Sequence, residues 1–300
     1  MFELISTSPP DHETRSRAIG WLVGSYSGLK VLSIGKSVLG REIKAICFGD
    51  PRAASLFVGA THGLEWLTAS LLLRFAGDLA EALSNDGHVS GINVRKAMLN
   101  RSLTIVPCLN PDGVEIALYG RAGAGRLGDK VEQISGGDFS TWQANANGVD
   151  INHNFDAGWK ILRQMERDAG ILGPAPSRYG GPHPNSEPET RAIVTHCLAW
   201  RPRSLYSFHS QGEEIYYKYG ENTPERSRLV AGILAASSGY KIATPEGLAS
   251  HGGLKDWFID KLHGQGFTIE VGRGKNPLPL DMLNPVYERI QEMMMIAALL

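Results

Sequence analysis

Three polar side chains stand where apolar strands run out. His62 follows SLFVGA (55–60), His209 comes after SLYSF, and Glu270 lies inside FTIEV (267–271). In open α/β sheets, sites assemble at the carboxyl ends of strands, so these positions point to one shared crevice. His62 and Glu65 are three residues apart, a spacing that turns an imidazole and a carboxylate to the same side of a first helical turn. His209 would complete two imidazoles and one carboxylate. That is the ligand set of catalytic zinc sites, which keep a fourth position open for water. A metal so held brings the pKa of its water to about 7, and Glu270 would then act as general base. Each residue also has a plainer reading. An HxxE pair alone is a weak signal, and a histidine at a strand end is commonly a hydrogen-bonded structural group. A Glu in an apolar strand costs several kcal/mol unless paired, but an Arg could pair with it structurally.

These residues need strands and helices to position them. Residues 11–27 carry helical spacing, and VLSIGKSV (31–38) and REIKAICFG (41–49) read as strands joined by a turn at Leu39-Gly40. SLFVGA is a buried strand followed by a helix from Leu64 to about Leu83. SLTIVPCL (102–109) is another strand, ending in a turn at Asn110-Pro111-Asp112-Gly113, where Asp112 is expected to cap the turn. Residues 119–185 are rich in Gly, Asn, Ser and Pro and read as a long loop, a feature usually tied to function. A helix with Ser186 as N-cap runs to Trp200, and strands follow at 204–210 and 213–219. A helix from Pro224 to Ser237, the Glu270 strand and a closing helix over 280–299 complete the chain. Alternation without a linker predicts one α/β domain over 1–300. Its central sheet is expected to be mixed, mostly parallel and twisted, with helices on both faces.

Composition narrows the function. The chain has 300 residues, of which 42% are hydrophobic, enough for a sizeable core. Thirty basic against 31 acidic side chains give a net charge of −1, so no basic field favours nucleic acid or an anionic membrane. The three cysteines, Cys47, Cys108 and Cys197, are odd in number and widely spaced, as expected of buried thiols in a reducing compartment. The first residues lack the basic and apolar regions of a signal peptide, which favours the cytoplasm. The longest apolar run, MMMIAALL (293–300), is far short of a membrane span.

The motifs THGLEW (61–66), NPDG (110–113), GVDINHNF (148–155), SFHS (207–210) and TIEV (268–271) occur in this order, and SIGKSVLGREI (33–43) precedes them. Together they resemble the zinc carboxypeptidases of the carboxypeptidase A superfamily across about residues 12–298. The resemblance implies one zinc ion per chain held by His62, Glu65 and His209, with Glu270 as the general base. It implies that Asp150 orients a ligand histidine from behind, and that Asn152 binds a substrate carboxylate.

Departures from the family pattern concern the substrate. The family's carboxypeptidases follow that Asn with an Arg that grips the substrate's terminal carboxylate; here His153 stands there. Only Arg offers a permanently charged, bidentate fork. No Arg lies in Trp142-Gln143-Ala144-Asn145, near where one would polarise the scissile carbonyl, leaving Gln143 or Asn145 as neutral donors. Leu64 replaces another substrate-binding Arg, and Leu248 and Ala249 stand where a Tyr is expected. WQANANGVDINHNFDAGW (142–159), SRYGGPHPNSEPET (177–190) and TIEVGRG (268–274) look most similar to the γ-D-glutamyl-L-diamino acid peptidases and murein peptide amidases. That resemblance implies a small muropeptide-like substrate cleaved between D-glutamate and diaminopimelate or Lys. Lys255 matches the base of the family's specificity pocket and suits an acidic group, unless it is a solvated helix Lys. Arg273 is a second candidate for an anionic substrate, and His251 could also reach it. Alternatives are a deacylase of N-acyl amino acids, an ordinary carboxypeptidase, or an inactive wall-peptide binding module. His88, His183, His196 and His263 read as surface or packing residues.

Overall fold

The central strands are near-continuous buried runs, such as SLFV and LTIV, which demands a sheet covered on both faces. In the computed structural model, which describes residues 2–300, Leu56 and Val58 of one strand point into one core and Phe57 between them into the other. The sheet has eight strands: β1 (Leu29–Lys36), β2 (Glu42–Phe48), β3 (Ser55–Val58), β4 (Leu103–Val106), β5 (Ser204–His209), β6 (Glu214–Tyr216), β7 (Lys241–Ile242) and β8 (Gln265–Glu270). They lie in the order β1-β2-β4-β3-β5-β8-β6-β7. The central block β4-β3-β5-β8 is parallel, whereas β1 with β2, β2 with β4, and β6 with β8 pair antiparallel. The result is the expected mixed sheet, parallel where the site residues emerge.

The larger core packs the helices Leu67–Asn85 and Leu283–Leu299 against Phe57, Tyr206, Phe208 and Phe267. On the opposite face, the helices Pro188–Trp200 and Leu254–Leu262 bury Ile193, Cys197, Trp257 and Phe258 against Leu56, Val58 and Leu205. All three cysteines are buried, free thiols.

Several local expectations change. Asn110-Pro111-Asp112-Gly113 opens the helix Pro111–Tyr119: Asn110 is the N-cap, accepting from the Gly113 N–H at 2.9 Å, with Pro111 in the first turn. Asp112 therefore caps no turn. It is fully buried and accepts from Ser37 Oγ (2.8 Å), the Leu39 N–H (2.7 Å) and Arg41 Nη1 (2.6 Å), tying down the β1–β2 hairpin. The region 119–185 is not one loop, because it contains the α-helices Gly128–Ser135 and Trp159–Asp168 and short 3-10 turns. Its glycines sit at the ends of these short elements and hide their periodicity. Glu187, not Ser186, is the N-cap of helix 188–200. Ser186 instead donates to Glu187 Oε1 and accepts from Asn154 Nδ2. After His62 the chain makes a 3-10 turn, Gly63–Glu65, before the α-helix begins at Leu67.

Candidate active site

Strand β3 delivers His62 through the short link Gly59–Thr61, and the 3-10 turn brings Glu65 back beside it. Backbone bonds hold this turn in place: the Gly63 N–H donates to the Gln143 carbonyl and the Leu64 N–H to that of Trp142, both at 3.0 Å. Gly63 has to be glycine, since a Cβ there would lie 2.3 Å from the Gly113 carbonyl oxygen. Asn110 Nδ2 ties the same region together, donating to the carbonyls of Thr61 (3.1 Å), Gln143 (3.2 Å) and Ala144 (3.2 Å). Strands β5 and β8 are parallel neighbours with His209 and Glu270 in register, which sets ligand candidate and base candidate side by side.

The three candidate ligands meet. His62 Nδ1 lies 2.9 Å from Glu65 Oε1, His209 Nδ1 lies 2.9 Å from Glu65 Oε2, and the two Nδ1 atoms are 3.3 Å apart. Their ligand atoms all fall within 4.8 Å of one another. Behind them, His62 Nε2 is 3.2 Å from Asp150 Oδ1, and His209 Nε2 is 3.1 Å from Ser207 Oγ. Asp150 is buried and acceptor-only, so His62 carries its proton on Nε2 and turns the lone pair of Nδ1 toward Glu65. A lone pair facing a carboxylate in a buried cluster calls for a positive charge between them, a metal ion or a proton. This donor set suits zinc, which takes imidazole nitrogen and carboxylate oxygen.

With no metal bound, the same carboxylates favour a proton on the imidazole in the cation's place. Burial alone would lower the His62 pKa, but Glu65 and Asp150 outweigh it and hold the ring well above its ordinary value. Burial would raise Asp150 and Glu65; the imidazoles His62 and His153 around the first, and His62 and His209 around the second, pull both below the usual range. Glu270 goes the other way: burial, then repulsion from Glu65, pushes it well above the carboxylate range.

His62, His209 and Glu270 line a crevice of about 350 Å³. Gln143, Asn152, His153 and Lys255 line it too, whereas Arg273 does not: its guanidinium is paired with Glu213 at 2.8 Å. Gln143 keeps its side-chain amide free of partners among the described residues, but Asn145 is fully buried and donates to Glu187 (2.7 Å) and Glu189 (3.0 Å), which removes it as a donor to substrate. Lys255 is buried at the crevice wall, ion-paired with Asp256, and donates to the Lys218 carbonyl at 3.0 Å, so it is not a solvated helix Lys. His251 lines the crevice and bonds the Tyr219 hydroxyl at 3.1 Å. Tyr216, Arg178, Glu246 and Asp256 are among the lining residues that the sequence did not single out. None belongs to a spacing pattern that would single it out.

The sequence profile of the zinc carboxypeptidases, peptidase family M14, matches residues 19–293. The chain belongs to the zinc carboxypeptidase family. It is therefore a metallopeptidase of a family that uses one zinc ion, and His62, Glu65 and His209 form the cluster that fits it. The chain is 31% identical to gamma-D-glutamyl-L-diamino acid endopeptidase 1 of Lysinibacillus sphaericus, over 93% of this chain and 69% of that protein. It is 32% identical to the protein YqgT of Bacillus subtilis, over 92% of this chain and 74% of YqgT. Solved structures share the fold. Bovine thrombin-activatable fibrinolysis inhibitor superposes with a TM-score of 0.72 at 18% identity, covering 98% of this chain and 97% of that one. Murein-tripeptide amidase MpaA of Escherichia coli O157 superposes with a TM-score of 0.52 at 23% identity, covering 92% of each chain. Among the described residues no helix is long and apolar enough to cross a membrane.

Proposed function

We propose that this metallopeptidase hydrolyses the amide bond between γ-D-glutamate and a diamino acid, meso-diaminopimelate or a related residue, in small peptidoglycan peptides. The observation that carries the reading is the 31% identity, over nearly the whole chain, to an endopeptidase named for that bond. The crevice supports it. The position after Asn152 holds His153, whose ring is turned inward to Glu166 (3.0 Å) rather than left free for a peptide's terminal carboxylate. A cationic group is placed elsewhere on the wall, at Arg178, as a substrate with free carboxylates favours.

His62, Glu65 and His209 would hold the zinc ion, which supplies a Lewis acid for the scissile carbonyl and for the attacking water. Asp150 fixes the tautomer and direction of His62. Glu270, in register beside His209 and lining the crevice, takes the proton of the attacking water and returns it to the leaving amine. Gln143 offers a neutral N–H to the carbonyl oxygen as charge develops there.

The test is mass-spectrometric assay of L-Ala-γ-D-Glu-meso-diaminopimelate with zinc-loaded protein, beside N-acyl amino acids and unmodified peptides. Release of diaminopimelate, lost in Glu270→Gln, is the expected result. Cleavage of N-acyl amino acids alone, or of C-terminal α-peptide bonds alone, would refute the substrate.

A further inference from the structure

The groups around the crevice differ in what already occupies them. Lys255 is neutralised by Asp256, and His153 Nδ1 faces two acceptors, Glu166 Oε1 and the Arg178 carbonyl at 3.1 Å. Arg178 is exposed at the rim, and its guanidinium has no hydrogen-bond or ion-pair partner among the described residues.

Its backbone, by contrast, is held tightly. Arg178 has φ of +66°, the left-handed region that a β-carbon disfavours by roughly 1–2 kcal/mol. Its N–H donates to Asp150 Oδ2 at 3.0 Å, and its carbonyl accepts from His153 Nδ1. Asp150 spends its other oxygen on His62. One carboxylate thus fixes both the metal-ligand imidazole and the root of a free guanidinium. Asn152, whose N–H is held by the same Asp150 carboxylate, also lines the crevice; its Oδ1 accepts from the Leu254 N–H at 3.1 Å, which leaves its Nδ2 donor without an acceptor among the described residues.

We propose that Arg178, assisted by Asn152 Nδ2, grips a carboxylate of the substrate, and that His153 is a positioning residue acting through the Arg178 carbonyl. Guanidinium and carboxylate pair bidentately, so the contact sets orientation as well as affinity. The inference rests on the γ-D-glutamyl reading for its substrate; with L-Lys as the diamino acid of the parent peptide, that substrate offers two candidate carboxylates: the free α-carboxylate of the D-glutamyl residue, and the α-carboxylate of the leaving Lys.

The experiment measures kcat and KM for wild type, Arg178→Gln, His153→Leu and His153→Gln on the parent peptide and on two derivatives, each amidated at one of those carboxylates. Arg178→Gln is expected to lower kcat/KM about 100-fold on the parent, mainly through KM. Wild type should lose a similar factor on one amide, and on that amide Arg178→Gln should cost less than about threefold; which amide responds identifies the carboxylate. His153→Leu should reproduce the KM effect and add little to Arg178→Gln in the double variant, while His153→Gln, which keeps a donor, should restore much of it. Equal losses on all three substrates, no loss at all, or full additivity would overturn the assignment. Should wild type cleave no γ-D-glutamyl peptide, the substrate reading fails separately. Calorimetric binding of L-Lys and of D-glutamate then decides: weaker binding of either to Arg178→Gln upholds the grip, and unchanged or undetectable binding to both proteins refutes it.

Discussion

Replacing Asp150 by Asn removes almost no volume and isolates one physical idea. The carboxylate accepts from His62 Nε2 (3.2 Å) and the Asn152 N–H (3.1 Å) on Oδ1, and from the Arg178 N–H (3.0 Å) on Oδ2. Asn has a single acceptor oxygen. Whichever way the amide turns, its NH2 faces an N–H donor, so either His62 or Arg178 loses its partner. With the oxygen toward Arg178, the proton of His62 is driven to Nδ1, the atom that should bind the metal. Loss of such an outer partner typically costs 10–100-fold in metal affinity, or about 1.4–2.8 kcal/mol. Competition with a zinc chelator measures that affinity, and circular dichroism checks the fold. Asp150→Ala removes both acceptors and closes the other orientation; zinc affinity within threefold of wild type in folded Asp150→Ala as well as Asp150→Asn would refute the claim that Asp150 sets the tautomer of His62.

Two other perturbations probe different parts of the account. Gly63→Ala places a methyl against the backbone of Gly113 and Trp142, which cannot yield as a side-chain tip does; the expected outcome is a loss of about 1–3 kcal/mol in chemical denaturation together with weakened zinc binding, and an unchanged denaturation midpoint would contradict it. Burial pushes His196 down to about 4, and its Nε2 has no hydrogen-bond partner among the described residues. The unfolded chain therefore takes up a proton near pH 6.5 that the native state refuses until about pH 4, and stability falls as the pH drops through that window, by up to about 3 kcal/mol. His196→Leu should lose less stability than wild type between pH 7 and 4.5 in urea titrations; parallel losses would show that another group sets the acid limit.

The metal centre was legible in the sequence because each member sits at an element boundary that sequence patterns mark. His62 and His209 terminate apolar strands, Glu65 follows one turn later, and Glu270 interrupts an apolar run. The order of the surrounding motifs carried what spacing alone could not, including Asp150. The substrate walls were less legible. Arg178 lies in a segment with no periodicity and reaches the crevice because Asp150 and His153 fasten its backbone, contacts between residues 25 or more apart in sequence. Asn145 and Asp112 misled for the same reason. Asp112 reads as a turn cap and Asn145 as a donor to substrate, but both are spent on buried tertiary bonds that depend on which chain segments meet.

An anomalous difference map at the zinc edge, from crystals of the zinc-loaded protein, tests the central claim most directly. One peak per chain, bonded to His62 Nδ1, Glu65 and His209 Nδ1 at about 2.0–2.2 Å with Glu270 unligated, is the predicted result. A peak elsewhere, or none at this cluster in saturating zinc, would contradict it.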